Sequence, residues 1–149
     1  MNTIDRPAMS RAARWLFAIS VLLYLVAMIA TPFRTGTPPH PWAAGWEVLL
    51  TGWMGVLAGV YAWLANPLVA AAWVLTLNRR RGPAVVAAVL ALLSGMSFLS
   101  LRQIMVNEGG TYEPVHLDAI GYWCWLASFG AALVAAALLP GRARQGAAS

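Results

Sequence analysis

The chain has no lysine, a single cysteine and very few acids. All ten basic residues are arginine and only five positions carry Asp or Glu, so charged residues make up 10% of 149. A soluble domain carries about 25%, and this chain has too little charge to cover a water-facing surface. Cys124 lies inside a hydrophobic run, so no internal disulfide can form and no CxxC or Cys/His set is available for a structural metal. Catalytic arrangements are also missing. No serine stands in a GxSxG, no glycine-rich loop is built to cradle phosphate, and the apolar runs hold no carboxylate pair for acid–base work. The sequence therefore offers no recognisable catalytic set, no metal ligand set and no cofactor motif.

What the chain does have is apolar length. Hydrophobic residues make up 60% and the mean hydropathy is +0.67, with apolar runs of spanning length recurring along the chain. The net charge of +5 and pI near 10.4 would suggest nucleic acid in a soluble protein. Here the arginines cluster at the ends of apolar runs, and no basic face interleaved with aromatics exists, so nucleic acid is not an expected partner.

The stretch Glu47 to Leu77 sets the topology. It carries no charge after Glu47 and stops at Asn78-Arg79-Arg80-Arg81-Gly82. Thirty-one helical residues would reach roughly 46 Å, against a hydrocarbon core of about 30 Å. A tilt together with a kink at Asn66-Pro67 accommodates the excess, since Pro67 has no N–H and its ring opposes the carbonyl of Trp63. The first apolar run, 15–31, reads as a retained span rather than a signal peptide, because it is 17 residues long and lacks an A-x-A site. Four prolines make 32–45 a loop. Pro83 opens a third helix that runs to about Val106, 107–114 is an acidic loop, and a fourth helix ends at Pro140-Gly141.

Segments 1–14, 78–82 and 140–149 hold eight arginines and one acid, while 32–47 and 102–118 hold two arginines and four acids. Four crossings with both termini in the cytoplasm satisfy the positive-inside rule at every loop, with Arg79, Arg80 and Arg81 as the strongest determinants. The expected fold is an all-α membrane protein. It is a single domain, 1–149, forming a four-transmembrane-helix bundle with spans at about 15–31, 47–77, 83–106 and 117–139.

Phase along the helices then suggests faces. Steps of three and four place Glu47, Thr51, Gly55, Gly59, Ala62 and Asn66 on one side of helix 2, opposite Leu50, Trp53, Leu57, Val60 and Leu64. Gly55 and Gly59 form a GxxxG, and Ala91 and Gly95 give helix 3 a similar small-residue face for close packing. Glu47, Arg102 and Asp118 fall at the outer helix ends on those faces, so one guanidinium is expected between two carboxylates, as a clamp or as an outer vestibule. Asn66 is expected to satisfy backbone groups freed by Pro67, or to serve as a polar hinge. Trp123 and Trp125 read as belt residues. His40 and His116 read as solvated loop histidines, since no HxxxH spacing pairs them.

The expected partners are the bilayer and another membrane protein or a second copy. The leading functional expectation is a non-enzymatic accessory, assembly or immunity-type subunit of a bacterial inner membrane. The alternative is a small-solute or ion transporter or pore, oligomeric, using the kinked helix and the outer vestibule. An intramembrane enzyme with Glu47, His116 or Asp118 as acid–base group is the weakest of the three.

Overall fold

The computed structural model describes residues 8–107, 109–117 and 119–141. The chain is mostly helical. Helix α1 spans Arg11–Ile29, α2 Gly45–Thr51, α3 Trp53–Leu57, α4 Ala65–Leu77, α5 Arg81–Ser97 and α6 Ile120–Ala137. Short 3-10 turns, Tyr61–Leu64 and Phe98–Ser100, lead into α4 and out of α5. Three helical stretches are long and apolar enough to cross a membrane: Arg11–Ile29, Arg81–Ser100 and Ile120–Ala137. Tyr61–Leu77 is apolar but shorter, rising about 28 Å over its 3-10 and α portions.

Helix α1 packs most extensively on α6, α5 packs on both α4 and α6, and α4 also meets α6. The seams are made of small residues. Ala13, Ala65, Ala84, Ala88, Ala91, Ala132, Ala135 and Ala136 are buried, while Trp15, Leu22, Leu25, Val86, Leu90 and Leu93 are exposed. A water-soluble bundle puts its large apolar groups inside. This inverted arrangement is the one expected where lipid surrounds the helices and close backbone approach drives packing. Gly95 belongs to such a seam: a Cβ there would stand 2.9 Å from the Phe129 ring of α6.

The long kinked helix expected over 47–77 does not exist. The chain breaks at Gly59, eight residues before Pro67. Gly59 has φ +83°, the Val60 N–H bonds to the Gly55 carbonyl at 2.8 Å, and the Gly59 N–H bonds to the Val56 carbonyl at 3.1 Å. These are the two reversed bonds of a Schellman stop, which requires a left-handed residue after the helix end. Gly55 faces Val60 across this turn, and Gly59 has no atom within 4 Å of a built Cβ. The pair therefore forms a chain reversal, not a seam between helices. Pro67 is the third residue of α4, where a missing N–H is tolerated.

A second correction concerns the loops. The chain is not all-α: a four-stranded antiparallel sheet, in the order β2-β1-β4-β3, caps one end of the bundle. Its strands are β1 Arg34–Thr35, β2 His40–Pro41, β3 Gln103–Met105 and β4 Tyr112–His116. The two sequence-distant loops pair through Arg34 with His116 and Thr35 with Val115. Helix 3 consequently ends earlier than expected. Ser97 and Ser100 hydroxyls donate to the carbonyls three residues back, at 2.6 and 2.7 Å, and Leu101 is already extended.

Among the described residues, arginine is concentrated at one end, although Arg34 and Arg102 belong to the sheet end. Arg11 and Arg14, with Arg79 to Arg81, lie at the end opposite the sheet, where Met9 and Ala13 pack against Leu139 and Gly141 approaches the Arg81 guanidinium. Glu47 and Glu113 lie toward the sheet end.

Candidate functional site

Just below the sheet, one carboxamide ties three helices together. Asn66 Oδ1 accepts from the Tyr24 hydroxyl of α1 and from the Trp125 indole of α6, each at 2.9 Å. Its Nδ2 donates to the Trp63 carbonyl at 3.0 Å. An indole N–H can only donate and a carbonyl can only accept, so these partners fix which way the amide points. The Trp63 bond has a local cause: Pro67, four residues on, has no N–H to give that carbonyl. Tyr24 stands five residues before the end of α1 and Trp125 five after the start of α6, so Asn66 sits about 7.5 Å below the sheet-side helix ends.

Deeper in the bundle a second relay repeats the device. The Trp73 indole of α4 donates to Ser20 Oγ of α1 at 2.9 Å, and Ser20 donates to the Ser128 carbonyl of α6 at 2.8 Å. Tyr24 and Trp73 meet edge to face at 5.2 Å, and Trp125 meets Phe129 at 4.7 Å. The two relays bind α1 to both α4 and α6 with hydrogen bonds in an apolar setting, where the alternative is an unpaired polar group.

Above Asn66 lies a small half-open crevice of about 70 Å³, lined by Phe33, Val48, Leu49, Phe98, Tyr122 and Trp125 among others. Two glycines set its walls. The Gly45 N–H bonds to the Ala30 carbonyl at 3.0 Å, and the Gly121 N–H to the Thr31 carbonyl at 3.2 Å. A Cβ would fall 2.0 Å from the Ala27 oxygen at Gly45 and 2.3 Å from the Thr31 oxygen at Gly121. The starts of α2 and α6 thus grip the exit of α1 from both sides, at a spacing no larger residue permits.

On the sheet itself, His40 Nε2 stands 3.8 Å from Glu113 Oε2 and 3.4 Å from Thr35 Oγ1. His116 Nε2 lies 3.1 Å from the Gly36 carbonyl. Glu113 Oε2 is buried with no hydrogen-bond partner. Among the described residues no group of three or more His, Cys, Asp or Glu side chains is placed to hold a metal.

Of the three charges expected to meet, Glu47, Arg102 and Asp118, the structure describes the first two. Glu47 and Arg102 are both exposed, and no ion pair joins them among the described residues. Asp118 lies outside the described residues. Arg102 follows the end of the helix, so helical phase no longer governs it, and its carbonyl pairs with the Val115 N–H. Trp123 is exposed, with its indole on the Leu117 carbonyl. Trp125 is half-buried against Asn66 instead of standing in the belt. Ser20, Tyr24 and Trp73 carry the polar ties. Compared with protein-family models, curated proteins and solved structures, the chain matches none.

Proposed function

We propose that the chain is a four-span protein of a bacterial inner membrane, with both termini in the cytoplasm, and that it acts without catalysis as an accessory or assembly subunit of another membrane protein. Tyr61–Leu77 supplies the fourth crossing in this reading, and the arginine-rich end faces the cytoplasm. The observation that carries the reading is the closure of the bundle. Ser20, Tyr24, Asn66, Trp73 and Trp125 are hydrogen-bonded to one another or to backbone, and small residues fill the seams. A carrier needs polar groups free to exchange between solute and protein, and these are engaged in holding helices together.

Purification from the native membrane in mild detergent tests the proposal, with a stoichiometric membrane partner as the expected result. A lone protein that moves solute across liposomes, with flux abolished by Asn66→Leu, would overturn it in favour of transport.

A further inference from the structure

We infer that α2 and α3 form an interfacial anchor: a short helical pair lying flat at the sheet-side boundary of the bilayer, with an apolar stripe set into the acyl and glycerol region of that leaflet. The inference rests on the membrane-spanning reading above. It concerns a segment that cannot itself cross, since seven and five residues reach only about 11 and 8 Å.

Depth is given by backbone contacts. The start of α2 is fixed to the last turn of α1 by the bond from Gly45 to Ala30. Its far portion is fixed to the turn before α4 by the Trp63 indole, which donates to the Leu49 carbonyl at 2.9 Å. Trp63 stands three residues before Asn66, about 6 Å above it on a 3-10 rise, and Asn66 is about 7.5 Å below the helix ends. Both attachments are therefore level with the ends of the long helices. The segment lies across that level and does not descend.

Orientation is given by the side chains. With Gly52 in right-handed helical conformation, the two helices share one wheel of roughly 100° per residue. Gly45, Val48, Leu49, Gly52, Gly55 and Val56 turn toward the protein and are buried or half-buried, while Trp46, Leu50, Trp53, Met54 and Leu57 are exposed. Leu57 is 82% exposed. These five apolar residues fall within about 100° of arc, and Glu47 and Thr51 follow along one edge of that stripe. Three faces result: bundle, lipid and water. This is the pattern of a helix lying in the plane of the interface, with tryptophans where ring and indole N–H meet the headgroups. Tyr61, exposed just beyond Gly59, extends the aromatic line. Lipid, not a second copy, is the occupant this favours, because the stripe is continuous in level with the exposed apolar surface at the end of α1, Val26 and Ile29.

Spin labels at single cysteines test this, in Cys124→Ala protein reconstituted into phosphatidylcholine–phosphatidylglycerol liposomes. Leu50→Cys, Met54→Cys and Leu57→Cys report the stripe, Glu47→Cys its polar edge, Leu90→Cys the middle of a long helix, and Gln103→Cys the sheet. The expected result is collision with oxygen and exclusion of a water-soluble nickel chelate at 50, 54 and 57, at a depth between Leu90 and Gln103, with 47 open to the chelate. Chelate reaching Leu90 would overturn the spanning reading itself. With Leu90 in lipid, stripe positions as open as Gln103, or as deep as Leu90, would overturn the anchor. So would stripe labels shielded from both reagents and broadened by a neighbouring copy.

Discussion

The two ends of this molecule are built on different packing rules. Toward the arginine-rich end, Ala72 of α4 meets Ala87 and Ala88 of α5 in a small-residue seam bordered by Leu75 and Leu133, while Val74, Leu77, Val86 and Leu90 stand exposed. Toward the sheet, Phe33, Phe98 and Tyr122 pack with Ala62 in the core, with Phe33 and Phe98 centroids 5.2 Å apart. The first region gains from close backbone approach, the second from burying aromatic area. On the membrane-spanning reading proposed above, the cause is the solvent outside. Helices surrounded by lipid gain nothing from hiding leucine, whereas a cap of strands and turns has water on one side and must build a core.

The contrast breaks first at the grip on α1. Gly121→Ala places a methyl against the Thr31 carbonyl, a backbone atom that no rotamer change moves away. Overpacking of this kind costs about 3 kcal/mol, so thermal unfolding in detergent should show a clear drop in midpoint. Gly45→Ala should behave alike. Gly130→Ala, on the same helix as Gly121 but with nothing within 4 Å of its Cβ, should hold or raise the midpoint through better helix propensity. Equal behaviour at Gly121 and Gly130 would show that the cap does not hold the α1 exit.

Asn66→Leu cuts the bonds that join the two regions. It leaves the Trp125 indole, the Tyr24 hydroxyl and the Trp63 carbonyl without this partner. Interhelical hydrogen bonds in membranes average about 0.6 kcal/mol each and reach about 1.7, so the expected loss is about 2 kcal/mol. Folding equilibria in mixed detergent micelles measure it. The same loss should be absent when Asn66→Leu is made in a Tyr24→Phe, Trp125→Phe background, apart from the Trp63 bond, because the donors are already gone.

Gly59→Ala should act only on the sheet-side region. A left-handed φ costs a β-carbon about 1 kcal/mol, while the open space there adds no clash. Hydrogen exchange should accelerate over α3 and the following turn, leaving α5 and α6 unchanged. Acceleration spreading into α5 would mean that the hairpin supports the bundle rather than resting on it.

What the sequence disclosed follows the same divide. Apolar length and the placement of ten arginines are local, additive signals, and they marked the long helices and the concentration of arginine at one end. The sheet depends on Thr35 finding Val115 across eighty residues, through strands of two to five residues, and nothing local marks such a pairing. Gly55-x-x-x-Gly59-Val60 carries two meanings in one string. The spacing of the glycines reads as a seam, while Gly followed by Val reads as a helix stop with its apolar contact. Pro67 drew the expected kink because proline usually breaks helices, yet at the first turn it breaks nothing. Arg102 was placed by phase carried past Ser100, where serine back-bonding tightens the last turn and the phase is lost. The Asn66 tie was half legible: its neighbour Pro67 implied a bond to Trp63, but its partners on α1 and α6 are set by packing alone.

The smallest effect sharpens the comparison from the arginine-rich end. Helix α4 stops there with the same pair of reversed bonds found at Gly59: the Arg80 N–H to the Leu75 carbonyl at 2.9 Å and the Arg79 N–H to the Thr76 carbonyl at 3.0 Å. The left-handed position, however, holds Arg79 at φ 56°. Glycine would remove a penalty of about 1 kcal/mol, and loss of the guanidinium's own contacts keeps the net gain below that. Arg79→Gly should therefore raise the unfolding midpoint slightly, the opposite sign to Gly59→Ala. On the proposed topology Arg80 and Arg81 still hold the loop on its side of the membrane, so a reporter fused after Ser149 should keep its orientation. A residue that strains the backbone where glycine would fit argues that charge at this turn, not helix geometry, determines which side chain stands there.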